Sequence, residues 1–136
     1  MKWLRTTASA AALGIASAGL VGLASAPAVA KGGIDFKVAA HRTVRAGHAI
    51  AIHARGDDDA ATYTKVCIQE RTDKRGSWHT LKCGRMAVLA KADVKVTPRH
   101  RGTVLAFRAV LFGADSRNDK HPVELRTSPV RTVRVR

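Results

Sequence analysis

The chain has 136 residues, of which 24 are Lys or Arg and 10 are Asp or Glu, so its formal charge is +14. A chain of this length holds one domain with a modest core, and its basic excess favours attraction to polyanions without specifying a fold. Two cysteines allow a single intramolecular disulfide and exclude a disulfide-rich scaffold.

Residues 1–30 are typical of a secretory signal peptide. Lys2 and Arg5 precede an uncharged stretch rich in alanine, leucine and glycine, which ends in a small-x-small processing pattern. We predict cleavage after Ala30, since cleavage after Ala26 would leave a proline first. A membrane anchor is the alternative, because the stretch is nearly long enough to span a bilayer. No later hydrophobic run reaches that length, so the sequence predicts a secreted protein.

Residues 31–136 are predicted to form one all-β domain. Apolar residues alternate with polar ones along most of this range, and no segment keeps a helical apolar period. About seven short strands separated by turn residues predict a single antiparallel β-sandwich. The predicted strands cover residues 34–40, 48–54, 62–72, 77–83, 92–98, 103–112 and 129–136, the predicted long loops cover 55–61 and 113–122, and residues 85–90 fit either a short strand or a helical turn.

Both cysteines lie in the segment VCIQERTDKRGSWHTLKC, residues 66–83. The turn-like residues 73–76 separate two alternating runs, and Gly76 is free to adopt a positive φ. A turn centred near Arg75 places Cys67 directly opposite Cys83, close enough for a disulfide. Because disulfides persist outside the cytosol, we predict that Cys67 and Cys83 form a cross-strand disulfide rather than two free thiols.

This register also predicts the faces of the hairpin. It places Trp78 on the presumed core face with Val66 and Ile68, and it places Leu81 on the opposite face with the cysteines. Two explanations for Leu81 stay open: a β-bulge shifts the register after His79, or Leu81 packs over the disulfide.

Three segments of the chain contain short motifs that recur in one class of β-domain. The residues that match these motifs are Gly76, Trp78 and Leu81 in the first segment, Gly102, Phe107, Arg108 and Ala109 in the second, and Ser128, Pro129, Val130, Val133 and Val135 in the third. In these motifs the chain resembles the secreted immunoglobulin-like or fibronectin-III-like domains of actinobacteria. The resemblance implies a β-sandwich that serves as an accessory or binding module. The predicted disulfide departs from antibody domains, because it closes a hairpin instead of bridging two sheets.

The sequence offers little catalytic or metal-binding chemistry. No serine lies in a nucleophile elbow, and His41, His48, His53, His79, His100 and His121 show no zincin spacing. The acidic cluster Asp57–Asp59 lacks the alternating ligands of a calcium loop, so a solvated turn paired with nearby arginines is the preferred interpretation. We therefore predict no enzyme activity, no metal and no cofactor.

Basic residues are concentrated in the predicted turns, and the candidate contact residues are Lys74, Arg75, Arg99 and Arg101. Such residues bind phosphate groups in nucleic-acid-binding proteins. Most aromatic residues, however, are predicted to be buried, and no dedicated nucleic-acid motif is present. A solvated basic surface without a partner is the alternative.

Three functions are compatible with the sequence. The preferred one is a monomeric, non-enzymatic β-sandwich module that binds an unidentified extracellular protein or anionic cell-wall component. The second is an electrostatic binder of extracellular polyanions, namely cell-wall polymer, DNA or lipid headgroups. The third is an inhibitor of an extracellular hydrolase that presents the 67–83 hairpin, with Lys74 or Arg75 entering a trypsin-like pocket.

Overall fold

The computed structural model describes residues 32–136, which fold into nine β-strands. The predicted signal peptide, residues 1–30 with cleavage after Ala30, lies outside the described residues. The strands are β1 Gly32–Val38, β2 Thr43–Val44, β3 Ile50–Asp58, β4 Tyr63–Thr72, β5 His79–Cys83, β6 Ala90–Val96, β7 Val104–Ala114, β8 Val123–Thr127 and β9 Arg131–Val135. Within the described range, no helix is long and apolar enough to cross a membrane.

The strands form two sheets that pack face to face. Sheet A has the order β1-β3-β6, and sheet B has the order β2-β9-β7-β4-β5, with β8 also pairing β7. All pairs are antiparallel except β2 with β9, which corrects the expectation of a purely antiparallel sandwich. The long strand β7 holds two partners along one edge, because β9 pairs with Val104–Phe107 and β8 with Val110–Gly113.

The expected count of about seven strands was too low, because β2 and β8 were missed. β2 has only two residues, too few for a visible alternation. The register of the pairing between β8 and β7 shifts between Leu111 and Phe112 of β7, and Val123 on β8 is 66% exposed. The apolar residues of β8 therefore do not mark a buried face. β3 runs to Asp58 and β7 to Ala114, so both predicted long loops begin later than expected.

The core lies between the inner faces of the two sheets. As predicted from alternation, the inward residues of β7, β4, β3 and β9 are buried. Burying one large aliphatic or aromatic side chain contributes about 1.5–3 kcal/mol, so these residues supply most of the stabilisation. The largest buried side chains are Phe107, Ile50, Ile52, Ile68, Leu111, Val66, Val110, Val133 and Val135.

The β4–β5 hairpin has the predicted disulfide. Cys67 and Cys83 are paired across the two strands and form a disulfide, with their Cα atoms 4.0 Å apart. The register then shifts by one residue, because Gln69 faces Thr80 while Leu81 is skipped. Leu81 consequently turns toward the core and packs against it. Of the two explanations for Leu81, the structure selects the β-bulge.

The residue with a left-handed backbone conformation in this turn is not the glycine that the sequence suggested. Asp73 has a φ of 58°, whereas Gly76 does not adopt a positive φ. Aspartate tolerates this conformation better than most residues because its short side chain can bond to nearby backbone. Residues 85–90 were predicted as a strand or a helical turn. Residues 85–89 form neither, since Ala87 makes only an isolated bridge to Thr64, and Ala90 is the first residue of β6.

Candidate functional site

The four candidate contact residues lie at one end of the sandwich. Lys74 and Arg75 are in the β4–β5 turn, and Arg99 and Arg101 are in the connection from β6 to β7. These two turns are adjacent because β4 and β7 are paired, with Thr72 facing Leu105. A backbone hydrogen bond of 2.8 Å from Asp73 N to Val104 O joins them. Topology thus brings together residues that are about 25 positions apart in the sequence.

Two further basic segments are fixed at the same end by backbone hydrogen bonds. Gly47 N donates to Pro98 O at 2.7 Å, which joins the β2–β3 turn to the β6–β7 connection. Ala46 N donates to Arg136 O at 2.9 Å. We call residues 45–48, 73–76, 98–102 and 134–136 the basic end. Its charged side chains are Arg45, Lys74, Arg75, Arg99, Arg101, Arg134 and Arg136, all exposed, together with one acidic residue, Asp73.

A shallow cavity of about 400 Å³ lies within the basic end. Arg45, Arg101 and Arg136 line it together with His48 and Ala46, and no acidic side chain takes part. Arginine presents a planar fork of N–H donors that matches phosphate and sulfate oxygens. The cavity is therefore lined by several side chains whose donors suit an anionic group of a larger ligand.

Acidic side chains are concentrated at the opposite end. Asp57, Asp59 and Asp115 line a cavity of about 450 Å³ there, together with Asp58 and Val88. Asp58 is buried and accepts hydrogen bonds from Ala60 N at 2.8 Å and from Arg126 Nε at 2.6 Å. The Ala60 bond, followed by the Arg126 bond, lowers the pKa of Asp58. The predicted pairing of this acidic triplet with arginine therefore holds for Asp58, although in a buried rather than a solvated setting.

The histidines and most of the carboxylates of the described residues are dispersed over the surface. Among residues 32–136, no three His, Cys, Asp or Glu side chains lie close enough to hold a metal ion. His53 Nδ1 lies 2.6 Å from Asp93 Oδ1, and both side chains are more than half exposed. This hydrogen bond lowers the pKa of Asp93. The pair is a surface contact on the outer face of sheet A.

Trp78 was predicted to be in the core, and this prediction was wrong. Trp78 precedes β5, is only partly buried, and lies on the outer face of sheet B. The Cζ atoms of Arg71 and Arg108 lie 4.5 Å and 4.2 Å from its ring centroid, within the range of cation–π contacts. The period-two pattern failed here because the bulge at Leu81 shifts the register of the residues that precede it. β4 and β7 each contain one arginine, Arg71 and Arg108, and nothing local in the sequence indicates that these two side chains meet Trp78.

A neighbouring polar residue helps to hold the cluster of Trp78, Arg71 and Arg108 in place. Arg108 Nε donates a hydrogen bond of 2.8 Å to Gln69 Oε1 on the paired strand. Glu70, one residue further along β4, faces the other side of the sheet, and its burial raises the pKa of its carboxyl. Glu70 therefore does not act as an acidic partner of Arg71 or Arg108 on the outer face of sheet B.

Comparison with protein-family models, with curated proteins and with solved structures gave no match. The function of this chain is therefore inferred from its own geometry and charge.

Proposed function

We propose that this protein is an exported, non-enzymatic β-sandwich module that binds anionic polymers at its basic end. One observation supports the proposal most strongly. The turn that contains Lys74 and Arg75 lies next to the connection that contains Arg99 and Arg101, at one end of the sandwich. Lys and Arg bind repeating phosphate or sulfate groups mainly by releasing the counterions condensed on the polymer. Anionic cell-wall polymer and extracellular DNA both have this chemistry.

The charge distribution supports a preferred orientation of the ligand. Asp57, Asp59 and Asp115 lie at the end opposite to the arginines. A polyanion that approaches the molecule is attracted more strongly to the basic end than to the opposite end, within roughly 8 Å at physiological salt. Binding is therefore expected to be end-on, and not across a sheet face.

Export and an immunoglobulin-like relationship are part of the same proposal. A signal peptide at residues 1–30 would direct the chain to a compartment where the disulfide between Cys67 and Cys83 persists. The motif residues that carry the resemblance lie on β7 and β9 and around β5. With one parallel pair and nine strands, the sandwich would be an elaborated form of that scaffold.

Retention on immobilised heparin and wall teichoic acid tests the proposal. The chain should bind at low salt and elute as salt rises, and the variant with Lys74, Arg75, Arg99 and Arg101 each changed to Ser should elute much earlier. A matched control removes the same charge from the outer face of sheet A, by changing the exposed residues Lys37, Arg55, Lys91 and Lys95 to Ser. Absence of retention at low salt, or equal loss in both variants, would contradict the proposal.

Inhibition of a trypsin-like hydrolase is a second candidate function, favoured by one observation. The disulfide closes the hairpin whose exposed tip carries Lys74 and Arg75. An inhibition assay against trypsin-like proteases separates the two functions. Inhibition that Arg75→Ser abolishes would support the inhibitor, and rapid cleavage after Arg75 without inhibition would dismiss it.

A further inference from the structure

The outer face of sheet B carries two neighbouring arginines that share one aromatic ring. Arg71 pairs with Ala106, and Gln69 with Arg108, so the two arginines are diagonal neighbours on β4 and β7. Their Cζ atoms lie 4.5 Å and 4.2 Å from the Trp78 ring centroid. Like charges on adjacent strands repel each other, and the ring offsets only part of that repulsion. The arrangement therefore favours an additional negative charge at this place.

No carboxylate of the described residues supplies that charge. The ion pairs within residues 32–136 join His53 to Asp93 and Arg126 to Asp58, both away from this cluster. Arg108 Nε has an amide acceptor on Gln69, whereas the buried Nε of Arg71 has no hydrogen-bond partner. Buried donors are normally paired. The cluster thus combines two positive charges without a counter-charge and one donor without an acceptor.

We propose that Arg71 and Arg108, held by Trp78, bind a doubly charged tetrahedral oxyanion, namely a phosphate monoester group. Each guanidinium offers a planar fork of N–H donors. A phosphate monoester has two charges and three free oxygens, so it can neutralise both arginines at once. A carboxylate has one charge and two oxygens and would leave one arginine uncompensated.

The site is built on rigid elements. Arg71 and Arg108 are on the central pair of sheet B, where β4 and β7 are aligned over ten residue pairs. Trp78 is anchored by the adjacent strand β5, which the disulfide fixes to β4. A fixed pair of forks loses little conformational freedom when the ligand binds. None of the three residues belongs to the basic end, so this site does not depend on the polymer-binding proposal.

Trp78 itself provides the readout. The sequence contains two tryptophans, so Trp3→Phe in the full chain leaves Trp78 as the only one. Inorganic phosphate is titrated at constant ionic strength maintained with sodium chloride, and sulfate is tested as a second tetrahedral dianion. We expect saturable changes in Trp78 fluorescence with both anions and none with acetate. Arg71→Gln and Arg108→Gln should each weaken binding at least tenfold, and the exposed control Lys91→Gln should leave it unchanged.

Three results would overturn the proposal: a response to phosphate that does not saturate, a response to acetate as strong as that to phosphate, or unchanged binding in both Gln variants. Circular dichroism establishes that each variant is folded. If a Gln variant unfolds, Arg71→Lys and Arg108→Lys provide the test. These lysine variants keep the positive charge but lose the planar fork of N–H donors, so binding should weaken severalfold. Binding equal to that of the parent would contradict recognition by the two guanidinium groups. The basic-end variant retains Arg71 and Arg108, so this proposal and the polymer-binding proposal can fail separately.

Discussion

Arg126 on β8 donates a hydrogen bond of 2.6 Å to the buried carboxylate of Asp58 on β3, and so joins the two sheets at the end opposite to the basic end. Asp58 also accepts a 2.8 Å bond from Ala60 N, which holds the first turn after β3. The side chain of Asp58 is only 6% exposed, whereas that of Arg126 is 37% exposed. Hydrogen bonds to a charged, buried group contribute more than neutral ones.

Asp58→Asn should therefore lower the free energy of unfolding by about 1–3 kcal/mol, measured by urea denaturation at neutral pH. Asp57→Asn, an exposed neighbour on the same strand, is the matched control and should change it by less than about 0.5 kcal/mol. Equal effects of the two variants would show that the link between the sheets does not contribute to stability.

The same contact predicts the direction of the acid response. The pKa of Asp58 is lowered in the folded protein from its ordinary value of 3.8. Its contribution is therefore fully present above the unfolded pKa and is lost as the pH falls through the lower, folded pKa. Melting temperatures measured between pH 6 and pH 2 should fall more steeply below about pH 4 for the parent than for Asp58→Asn. Parallel curves for the two proteins would contradict this assignment.

The disulfide closes a hairpin in a domain with a small core. In the chain-entropy model a loop of this length contributes about 3 kcal/mol. The double variant Cys67→Ser/Cys83→Ser should therefore lose about that much stability in urea denaturation, and reductant should destabilise the parent by a similar amount. Reductant should have no effect on the double variant, which controls for any effect of the reductant other than cleavage of the disulfide. A parent that melts at the same temperature with and without reductant would contradict a stabilising role.

Gly84 marks a close approach between the end of β5 and β6. A Cβ atom at this position would lie 1.8 Å from the carbonyl oxygen of Lys91, which is backbone and cannot turn away. Gly84→Ala should therefore lower the free energy of unfolding by about 2–3 kcal/mol. Gly33→Ala on β1 is the control, because a Cβ there meets nothing within 4 Å. Equal urea midpoints for the two variants would show that β5 and β6 separate easily.

Alternation along single strands predicted much of the fold. Leu105, Phe107 and Leu111 were assigned to one face of β7, and all three are buried. The pairing of Cys67 with Cys83 was predicted correctly, but the register next to the turn differs by one residue from the prediction, and the bulge at Leu81 brings the two cysteines opposite each other. Alternation could not place Trp78, because the bulge at Leu81, within β5, shifts the faces of the residues that precede it. It could not reveal β2, which is only two residues long.

The candidate site was predictable only in part. Four basic turn residues were predicted as separate candidates, and nothing local indicates that Lys74 and Arg101 share one end of the molecule. That neighbourhood follows from the pairing of β4 with β7, a contact between distant parts of the chain. The contribution of Arg45 and Arg136 depends likewise on long-range backbone hydrogen bonds. Sequence patterns report the face on which a residue lies more reliably than they report its distant neighbours.

The salt dependence of binding to a short DNA duplex tests most directly whether the basic end holds polyanions by charge. The logarithm of the association constant should fall linearly with the logarithm of salt concentration, with a slope of about −0.9 for each phosphate neutralised. Changing Lys74, Arg75, Arg99 and Arg101 to Ser should reduce the magnitude of the slope by about 3 to 4, whereas the sheet A control with the same net charge should keep the parent slope. A slope near zero in the parent, or equal slopes in the two variants, would contradict the account.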